Sequence, residues 1–144
     1  CEGDPFFYGS FMYLHARLSE RFPVRIVPGV TSMTACAGRA ALPLAARNDV
    51  VSVIPAPLPE PELMDRFAQA DTAVVMKLGR HLPTLRRVID AAGLTDRAIY
   101  VERASLPEEL CLPLAQAPEK APYFSMILVP IGADPWLSPP SSSP

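Results

Sequence analysis

Proline constrains this chain more than any other residue type. Eighteen of its 144 residues are proline, whereas proteins average about 5%. Because proline lacks a backbone N–H and interrupts helices and inner strands, we expect short elements joined by many loops. Four prolines occupy every second position from 55 to 61. Their spacing predicts an extended connector that ends at a helix start; a ligand segment for a proline-binding domain is the alternative interpretation.

Between the prolines, helical and strand patterns alternate along the chain. Apolar residues recur at helical spacing, as in Phe11, Leu14 and Leu18 of the first helix. The predicted helices are residues 10–21, 33–40, 61–70 and 81–92. The predicted strands are residues 24–27, 50–54, 72–77, 98–102 and 124–130. This alternation is typical of an α/β fold, here with a mixed rather than a purely parallel sheet.

The composition changes along the chain and divides it into three parts. Residues 1–46 are interpreted as the end of a first α/β domain, residues 47–132 as a second α/β domain, and residues 133–144 as a disordered tail rich in proline and serine. The chain begins without methionine, at residues 1–5, which resemble the loop after a strand. We therefore expect the first domain to be incomplete in this chain.

Charge and cysteine content argue against several classes of protein. The net charge of −2 and the isoelectric point near 5.7 do not suit a non-specific nucleic-acid binder, which needs a basic surface. No apolar run reaches the roughly 18 residues of a membrane span, and no secretory signal pattern opens the sequence. Three cysteines without a CxxC pair and only two histidines predict no disulfide framework and no metal site. A cytoplasmic location is the expectation that follows.

Two glycine-containing turns stand at predicted strand ends, where open α/β sheets bind ligands. They are residues 3–5 and residues 28–32. Glycine lets a ligand approach the backbone, Asp4 can accept hydrogen bonds from it, and Thr31 or Ser32 can cap a helix. A common turn and an ordinary helix cap are the alternative interpretations. Together the two turns predict one small-ligand cleft, although neither GxGxxG nor GKS/T is present.

Basic side chains follow two other predicted strands. Lys77 and Arg80 stand at the end of the strand at residues 72–77, and Arg103 follows the next strand. Such cations suit the carboxylates of an acidic ligand, and arginine binds them through two parallel hydrogen bonds. The alternatives are a solvated loop for the first pair and, for Arg103, a surface ion pair with Glu102 worth less than about 1 kcal/mol. No Ser-His-Asp or Cys-His constellation is present.

Six separated segments resemble, in the correct order, the motifs of the tetrapyrrole (precorrin) methylases. Residues 1–11, CEGDPFFYGSF, resemble the family's GDPxxYGS motif, and residues 27–36, VPGVTSMTAC, resemble its PGVTSxxA motif. The other four are PLA with ND (43–49), AVVMKLGR (73–80), YVERAS (100–105) and PYFSM (122–126). The resemblance covers residues 1 to about 132. The family's opening GxGPGDP-type segment is not found, in line with an incomplete first domain.

This resemblance implies two α/β domains with S-adenosylmethionine (SAM) held in the cleft between them, and a homodimer at full length. It implies a methyltransferase acting on a small-molecule tetrapyrrole, with neither nucleic acid nor membrane as partner. Carried over residue by residue, the cofactor contacts are Glu2, Gly3, Asp4, Phe7, Thr31, Ser32, Met76 and Ala104. The predicted contacts to the substrate's carboxylates are Lys77, Arg80 and Arg103. No catalytic base and no metal ligand are implied.

Within the family, the EGDPFFYGSFMYLH, VMKLGR, VERA and PYFSM forms are most similar to enzymes that methylate carbon 20 of precorrin-2 or cobalt-precorrin-2 in cobalamin biosynthesis. The alternatives are a uroporphyrinogen III methylase, whose motif usually reads GGDPFxFG, another tetrapyrrole methylase, and a non-catalytic remnant that pairs with itself or with a complementary half. Because a cleft between two domains needs both walls, we expect residues 1–144 alone not to turn over substrate and to associate through exposed apolar faces.

Overall fold

A five-stranded mixed sheet lies at the centre of the structure, a computed structural model that describes residues 3–132. The strands are β1 (Val51–Pro55), β2 (Thr72–Met76), β3 (Ile99–Glu102), β4 (Leu110–Pro113) and β5 (Ser125–Pro130). Their order is β1-β2-β5-β3-β4; β1 and β2 are parallel, and every other neighbouring pair is antiparallel. The predicted α/β fold with a mixed sheet is confirmed. Glu2 and the predicted tail at 133–144 lie outside the described residues.

The edge strand β4 does not appear among the predicted strands. It has four residues, and Leu110, Cys111 and Pro113 are exposed. A strand at the edge tolerates proline, because one row of its backbone groups needs no partner in the sheet. Because β4 is short and its side chains are exposed, it lacks the apolar pattern that identifies an inner strand.

Four α-helices accompany the sheet in the described part of the chain. They are α1 (Phe11–Leu18), α2 (Ser32–Arg39), α3 (Glu60–Ala68) and α4 (Leu82–Ala91). Each agrees with a predicted helix except for a few residues at its ends. Pro61 stands in the first turn of α3, where the missing N–H would have no helical partner. The longest helix has 10 residues, and no helix within residues 3–132 is long and apolar enough to cross a membrane.

Helices α3 and α4 cover one face of the sheet. Helix α4 places apolar side chains at helical spacing on its inner side, where Leu85 and Ile89 are fully buried. They pack with Phe67 of α3 against Val75 and Ile127 of the sheet. Each buried side chain of this size contributes about 1.5–3 kcal/mol. This face therefore holds the larger of the two apolar clusters.

Helix α2 covers the opposite face. Its Cys36 and Ala37 are buried against Val74, Val101 and Met126 of three neighbouring strands. Small side chains on α2 let the helix lie close to the sheet. Helix α2 belongs to the predicted first part of the chain, yet it shares an apolar cluster with the strands of the second part.

The residues before α2 differ from the prediction. No strand forms at residues 24–27, where Val24 and Val27 are 38% and 68% exposed. A strand needs a neighbour for its backbone hydrogen bonds, and none of the five strands pairs with this segment. Helix α1 likewise buries no side chain. Exposed apolar groups of this kind promote association.

Candidate ligand site at the carboxyl edge of the sheet

Three strands of the sheet end at the same edge. Strands β1 and β2 are parallel, and β2 and β3 both run antiparallel to β5, so all three point the same way. Lys77 and Arg103 are the first residues after β2 and β3. Because ligands of open α/β sheets bind outside the carboxyl ends of the strands, this edge is the candidate site.

The two predicted glycine turns pack against each other. Asp4 Oδ2 accepts a hydrogen bond from the Gly29 N–H at 3.0 Å, and Oδ1 accepts one from the Phe6 N–H at 2.9 Å. The Gly29 amide, and after it the Phe6 amide, holds the pKa of the Asp4 carboxyl below its usual value. Both carboxylate oxygens accept hydrogen bonds from backbone amides, so the main role of Asp4 is to hold the two turns together.

The lack of a side chain at Gly3 and Gly29 makes this close approach possible. A Cβ at Gly29 would overlap the Gly3 carbonyl oxygen and lie 2.8 Å from the Gly3 carbonyl carbon. Gly3 also has a φ of +72°, in the region that favours glycine. A Cβ there would lie 3.3 Å from the Val30 carbonyl oxygen. The structure thus brings the two turns together, as the sequence predicted.

Helix α2 begins directly after the second turn. Thr31 is its N-cap, with extended backbone (φ −68°, ψ 152°), and Thr31 Oγ1 accepts a hydrogen bond from the Thr34 N–H at 3.4 Å. Ser32 is exposed at the first helical position. The first amides of a helix have no partner within the helix. The start of α2 therefore presents hydrogen-bond donors beside the paired turns.

A contact between Tyr8 and Lys77 joins the first motif segment to the end of β2. The Nζ of Lys77 lies 4.9 Å from the centroid of the Tyr8 ring, which is a cation–π contact. Tyr8 and Lys77 have φ angles of +55° and +61°. Such conformations are costly for residues other than glycine and cluster at functional sites. Phe7, half-buried beside Tyr8, belongs to the same segment.

Glu102 and Arg103 form the ion pair given as one interpretation, but Glu102 is buried and does not lie on the surface. Glu102 is 4% exposed; its Oε1 accepts a hydrogen bond from Arg103 Nη1 at 2.7 Å, and its Oε2 accepts one from the Tyr100 hydroxyl at 2.5 Å. Burial, and after it the Glu102 carboxylate, raises the pKa of Tyr100. Tyr100 and Glu102 are two residues apart on β3 and share the face that α3 and α4 cover. That shared face buries the carboxylate.

Arg80 occupies a different environment from Lys77 and Arg103. It lies in a 3-10 turn, Gly79–His81, and lines an open cavity of about 680 Å³. The cavity is also lined by Gly79, Pro83, Arg86, Glu119, Lys120 and Ala121. Neither Lys77 nor Arg103 lines it. The three cations predicted to hold the substrate are therefore divided between two places.

Met76 and Ala104 lie at the apolar cluster beneath α2. Met76 is 9% exposed, and Ala104 is half-buried and packs against the same cluster. Ala104 stands between Arg103 and Ser105, whose φ angles are +49° and +69°. The loop that follows β3 is thus sharply bent at the position of this predicted cofactor contact.

Glu109 is absent from the predicted site residues, yet it links two parts of the site. Its Oε2 accepts a hydrogen bond from the Ser105 N–H at 2.5 Å, and its Oε1 accepts one from Arg39 Nε at 2.7 Å. The Ser105 amide, and after it Arg39, holds the pKa of the Glu109 carboxyl below its usual value. Arg39 and Glu109 are 70 positions apart, so no local sequence pattern could indicate their contact.

Comparison with known proteins finds similar sequences over most of the chain. The model of the family "Tetrapyrrole (Corrin/Porphyrin) Methylases" matches residues 1–117. The chain is 50% identical over 130 residues to a precorrin-2 C(20)-methyltransferase of Sinorhizobium, covering 90% of this chain and 53% of that protein. It is 35% identical over 130 residues to a cobalt-precorrin-2 C(20)-methyltransferase of Salmonella typhimurium, covering 88% and 55%. The chain spans about half the length of these relatives.

Solved methyltransferase structures share the fold. A cobalt precorrin-4 methyltransferase, described as a cobalamin biosynthetic enzyme, matches with a TM-score of 0.65 and 25% identity, covering 88% of this chain and 60% of that chain. The uroporphyrin-III C-methyl transferase of Thermus thermophilus, complexed with S-adenosylhomocysteine, matches with a TM-score of 0.60 and 28% identity, covering 88% and 62%. The mixed sheet and its helices are thus those of a known methyltransferase fold.

Proposed function

The chain belongs to the tetrapyrrole (corrin/porphyrin) methylase family, and on that premise we propose that it serves the SAM-dependent methylation of carbon 20 of precorrin-2 or cobalt-precorrin-2 in cobalamin biosynthesis. The observation that carries the proposal is the contact between the two motif turns, Asp4 to Gly29 at 3.0 Å, beside the edge where β2 and β3 end. The 50% identity to the Sinorhizobium enzyme supports carbon 20 as the methylated position.

We assign SAM to the space between the paired turns, the start of α2 and the loop after β3. The proposed contacts are Glu2, Gly3, Asp4, Phe7, Thr31, Ser32, Met76 and Ala104. Gly3 lets the ligand approach the backbone, and the first amides of α2 suit an anionic group. Met76 and Ala104 supply apolar surface on the side of the sheet.

We assign the substrate's carboxylates to the cations at the strand ends. Arg103 uses Nη1 to hold Glu102, and its remaining N–H groups stay free to bind a carboxylate. Lys77 is held over the Tyr8 ring, which restricts where its ammonium group can reach. Arg80, in its separate cavity, would bind a carboxylate on another side of the macrocycle.

The main task of the site residues is to orient the substrate and to exclude water from it. Bound SAM supplies a methyl group on a sulfonium centre, a good electrophile for an electron-rich ring carbon. Lys77 and Arg103 would orient the substrate toward the bound cofactor, and Met76 and Ala104 would help to exclude water. The transfer would leave the thioether S-adenosylhomocysteine, and the methylated ring system would then release one proton; we assign no residue as the base that takes it.

Two other functions remain as alternatives. A uroporphyrinogen III methyltransferase fits less well, because the uroporphyrin-III C-methyl transferase of Thermus thermophilus is 28% identical to this chain, whereas the precorrin-2 C(20)-methyltransferase of Sinorhizobium is 50% identical. A non-catalytic chain that pairs with itself or with a complementary half is favoured by the exposed apolar side chains of α1, which buries none. Homodimer formation at full length, a cytoplasmic location, and a small-molecule partner in place of nucleic acid or membrane are part of the main proposal.

Binding and turnover test the proposal separately. Calorimetry with S-adenosylhomocysteine, on the chain alone and together with the remaining part of the Sinorhizobium relative, tests the cofactor site; affinities of all variants are compared in the mixture. Methyl transfer from labelled SAM to precorrin-2 is measured for the chain alone and together with the remaining part of the Sinorhizobium relative. We expect turnover only in the mixture, and slower turnover of uroporphyrinogen III. Faster methylation of uroporphyrinogen III would contradict the substrate, and an inactive mixture with a stable dimer of the chain would favour the non-catalytic alternative.

A further inference from the structure

The loop between β3 and β4 has an unusual backbone at the place where the proposed cofactor contact lies. Arg103 and Ser105, on either side of Ala104, both have positive φ, +49° and +69°. Conformations of this kind persist only where surrounding contacts hold them. At its start, the Arg103 N–H donates to the Phe124 carbonyl oxygen at 2.8 Å. The contact that holds the Ser105 end comes from Glu109.

Both carboxylate oxygens of Glu109 accept hydrogen bonds from other residues. One accepts the Ser105 N–H at 2.5 Å, and the other accepts Arg39 Nε at 2.7 Å. The Glu109 side chain is 14% exposed, whereas that of Arg39 is 55% exposed. An ion pair with so exposed a partner contributes little to stability. The ion pair therefore adds little to the free energy of unfolding; its structural effect is to link the Ser105 backbone to Arg39 through one carboxylate.

The groups that Glu109 joins belong to two elements that carry proposed cofactor contacts, the loop after β3 and helix α2. Ser105 directly follows Ala104, on the loop after β3. Arg39 is the last residue of α2, the helix that begins at Ser32. Helix α2 is also fixed on the sheet by Cys36, which packs in the same apolar cluster as Ala104. One carboxylate thus connects the Ala104 loop to the last residue of the helix whose start carries the proposed contacts Thr31 and Ser32.

We propose that Glu109 is a positioning residue for cofactor binding, which holds the Ala104 loop at a fixed distance from the start of α2. This inference rests on the proposed function, because that function assigns Ala104, Thr31 and Ser32 to the cofactor. Glu109 does not itself touch the ligand. Its replacement lowers cofactor affinity while the apolar clusters on both faces of the sheet stay intact.

The decisive variant is Glu109→Gln, with Glu108→Gln as its matched control. Both changes remove one negative charge from adjacent positions, but Glu108 is exposed and makes no hydrogen bond or ion pair with another described residue. We expect the Kd for S-adenosylhomocysteine, measured by calorimetry, to rise about tenfold in Glu109→Gln and to stay unchanged in Glu108→Gln. Both variants keep the wild-type Tm. Arg39→Gln, which leaves the Ser105 contact in place, is expected to give a smaller rise.

Hydrogen exchange of the Ser105 amide separates this inference from the proposed function. The amide should exchange faster in Glu109→Gln than in wild type, and Glu108→Gln should not change it. If the wild-type chain, together with the remaining part of the Sinorhizobium relative, binds no S-adenosylhomocysteine, the proposed function fails on its cofactor. If wild type binds and Glu109→Gln binds equally well, or its Ser105 amide exchanges at the wild-type rate, the positioning role is overturned. A Glu109→Gln chain that does not fold would overturn it as well, since the role assigned is not one of stability.

Discussion

Replacing Gly29 with alanine should separate the two motif turns. The added Cβ would overlap the Gly3 carbonyl oxygen and lie 2.8 Å from the Gly3 carbonyl carbon and 3.2 Å from the Asp4 Cα, where ordinary contact is 3.4–4 Å. These are backbone atoms, so no side-chain rotation relieves the overlap, and the turns must move apart. The hydrogen bond from Gly29 N–H to Asp4, now 3.0 Å, is then lost.

The cost of this overlap falls mainly on ligand binding. Inserting a carbon into a packed contact costs about 1–3 kcal/mol, which corresponds to about 5- to 150-fold in Kd when it opposes binding. The turns lie away from the two apolar clusters, so the site can open without unfolding the sheet. We therefore expect a large loss of affinity for S-adenosylhomocysteine in Gly29→Ala and a small change in Tm.

The matched control is Gly38→Ala. A Cβ at Gly38 meets no atom within 4 Å, and the residue lies inside α2. Alanine is a better helix former than glycine by about 0.5–1 kcal/mol, so this variant should be slightly more stable and bind normally. Calorimetry and urea unfolding of both variants measure the contrast. Wild-type affinity in Gly29→Ala would refute the reasoning, because the two turns would then not need their close approach.

Three further predictions concern other groups of the structure. The pKa of the Asp4 carboxyl is held below its usual value of about 3.9, so the hydrogen bonds of its carboxylate are fully present above that pH and are lost as the pH falls through the lowered pKa. Ligand affinity, measured against pH, should fall together with these bonds. Asp4→Asn should bind the ligand weakly at every pH. Tyr100→Phe leaves a buried oxygen of Glu102 without its donor and should cost about 1–3 kcal/mol in urea unfolding, whereas Tyr123→Phe, at an 82% exposed ring, should cost nothing measurable. Burial, and after it the neighbouring Cys111 and Glu109, raises the pKa of the Cys36 thiol to about 11. Iodoacetamide at pH 8 should therefore label Cys36 only after unfolding, as mass spectrometry of the peptides can show; labelling of Cys36 in the folded chain would contradict this prediction.

Local patterns predicted the elements whose stability is mostly local or that lie inside the sheet. Strands β2 and β5 are continuous apolar runs because both of their faces are covered, and such runs are visible in one sequence. The Thr31 cap was equally visible, because the residue types at a helix start serve the first turn of that helix. The prediction at 24–27 is wrong for the opposite reason, since an apolar run forms a strand only where another strand pairs with it.

The sequence predicted individual segments of the candidate site better than the contacts between them. The two glycine turns could be found from their residues, although the strand predicted before the second turn does not form. The bond between Glu109 and Arg39 spans 70 positions and depends on how α2 lies on the sheet. The burial of Glu102 was misjudged because a charged pair adjacent in sequence gives no sign of which face of a strand is covered.

The position of β5 has a consequence for the order in which the sheet can assemble during synthesis. β5 lies in the middle of the sheet, between β2 and β3, but it is the last of the five strands along the chain. Until it leaves the ribosome, the sheet exists only as two separate pairs, β1 with β2 and β3 with β4, and two-stranded pairs are marginal on their own. Their inner edges stay unpaired for that time and are open to association with other nascent chains.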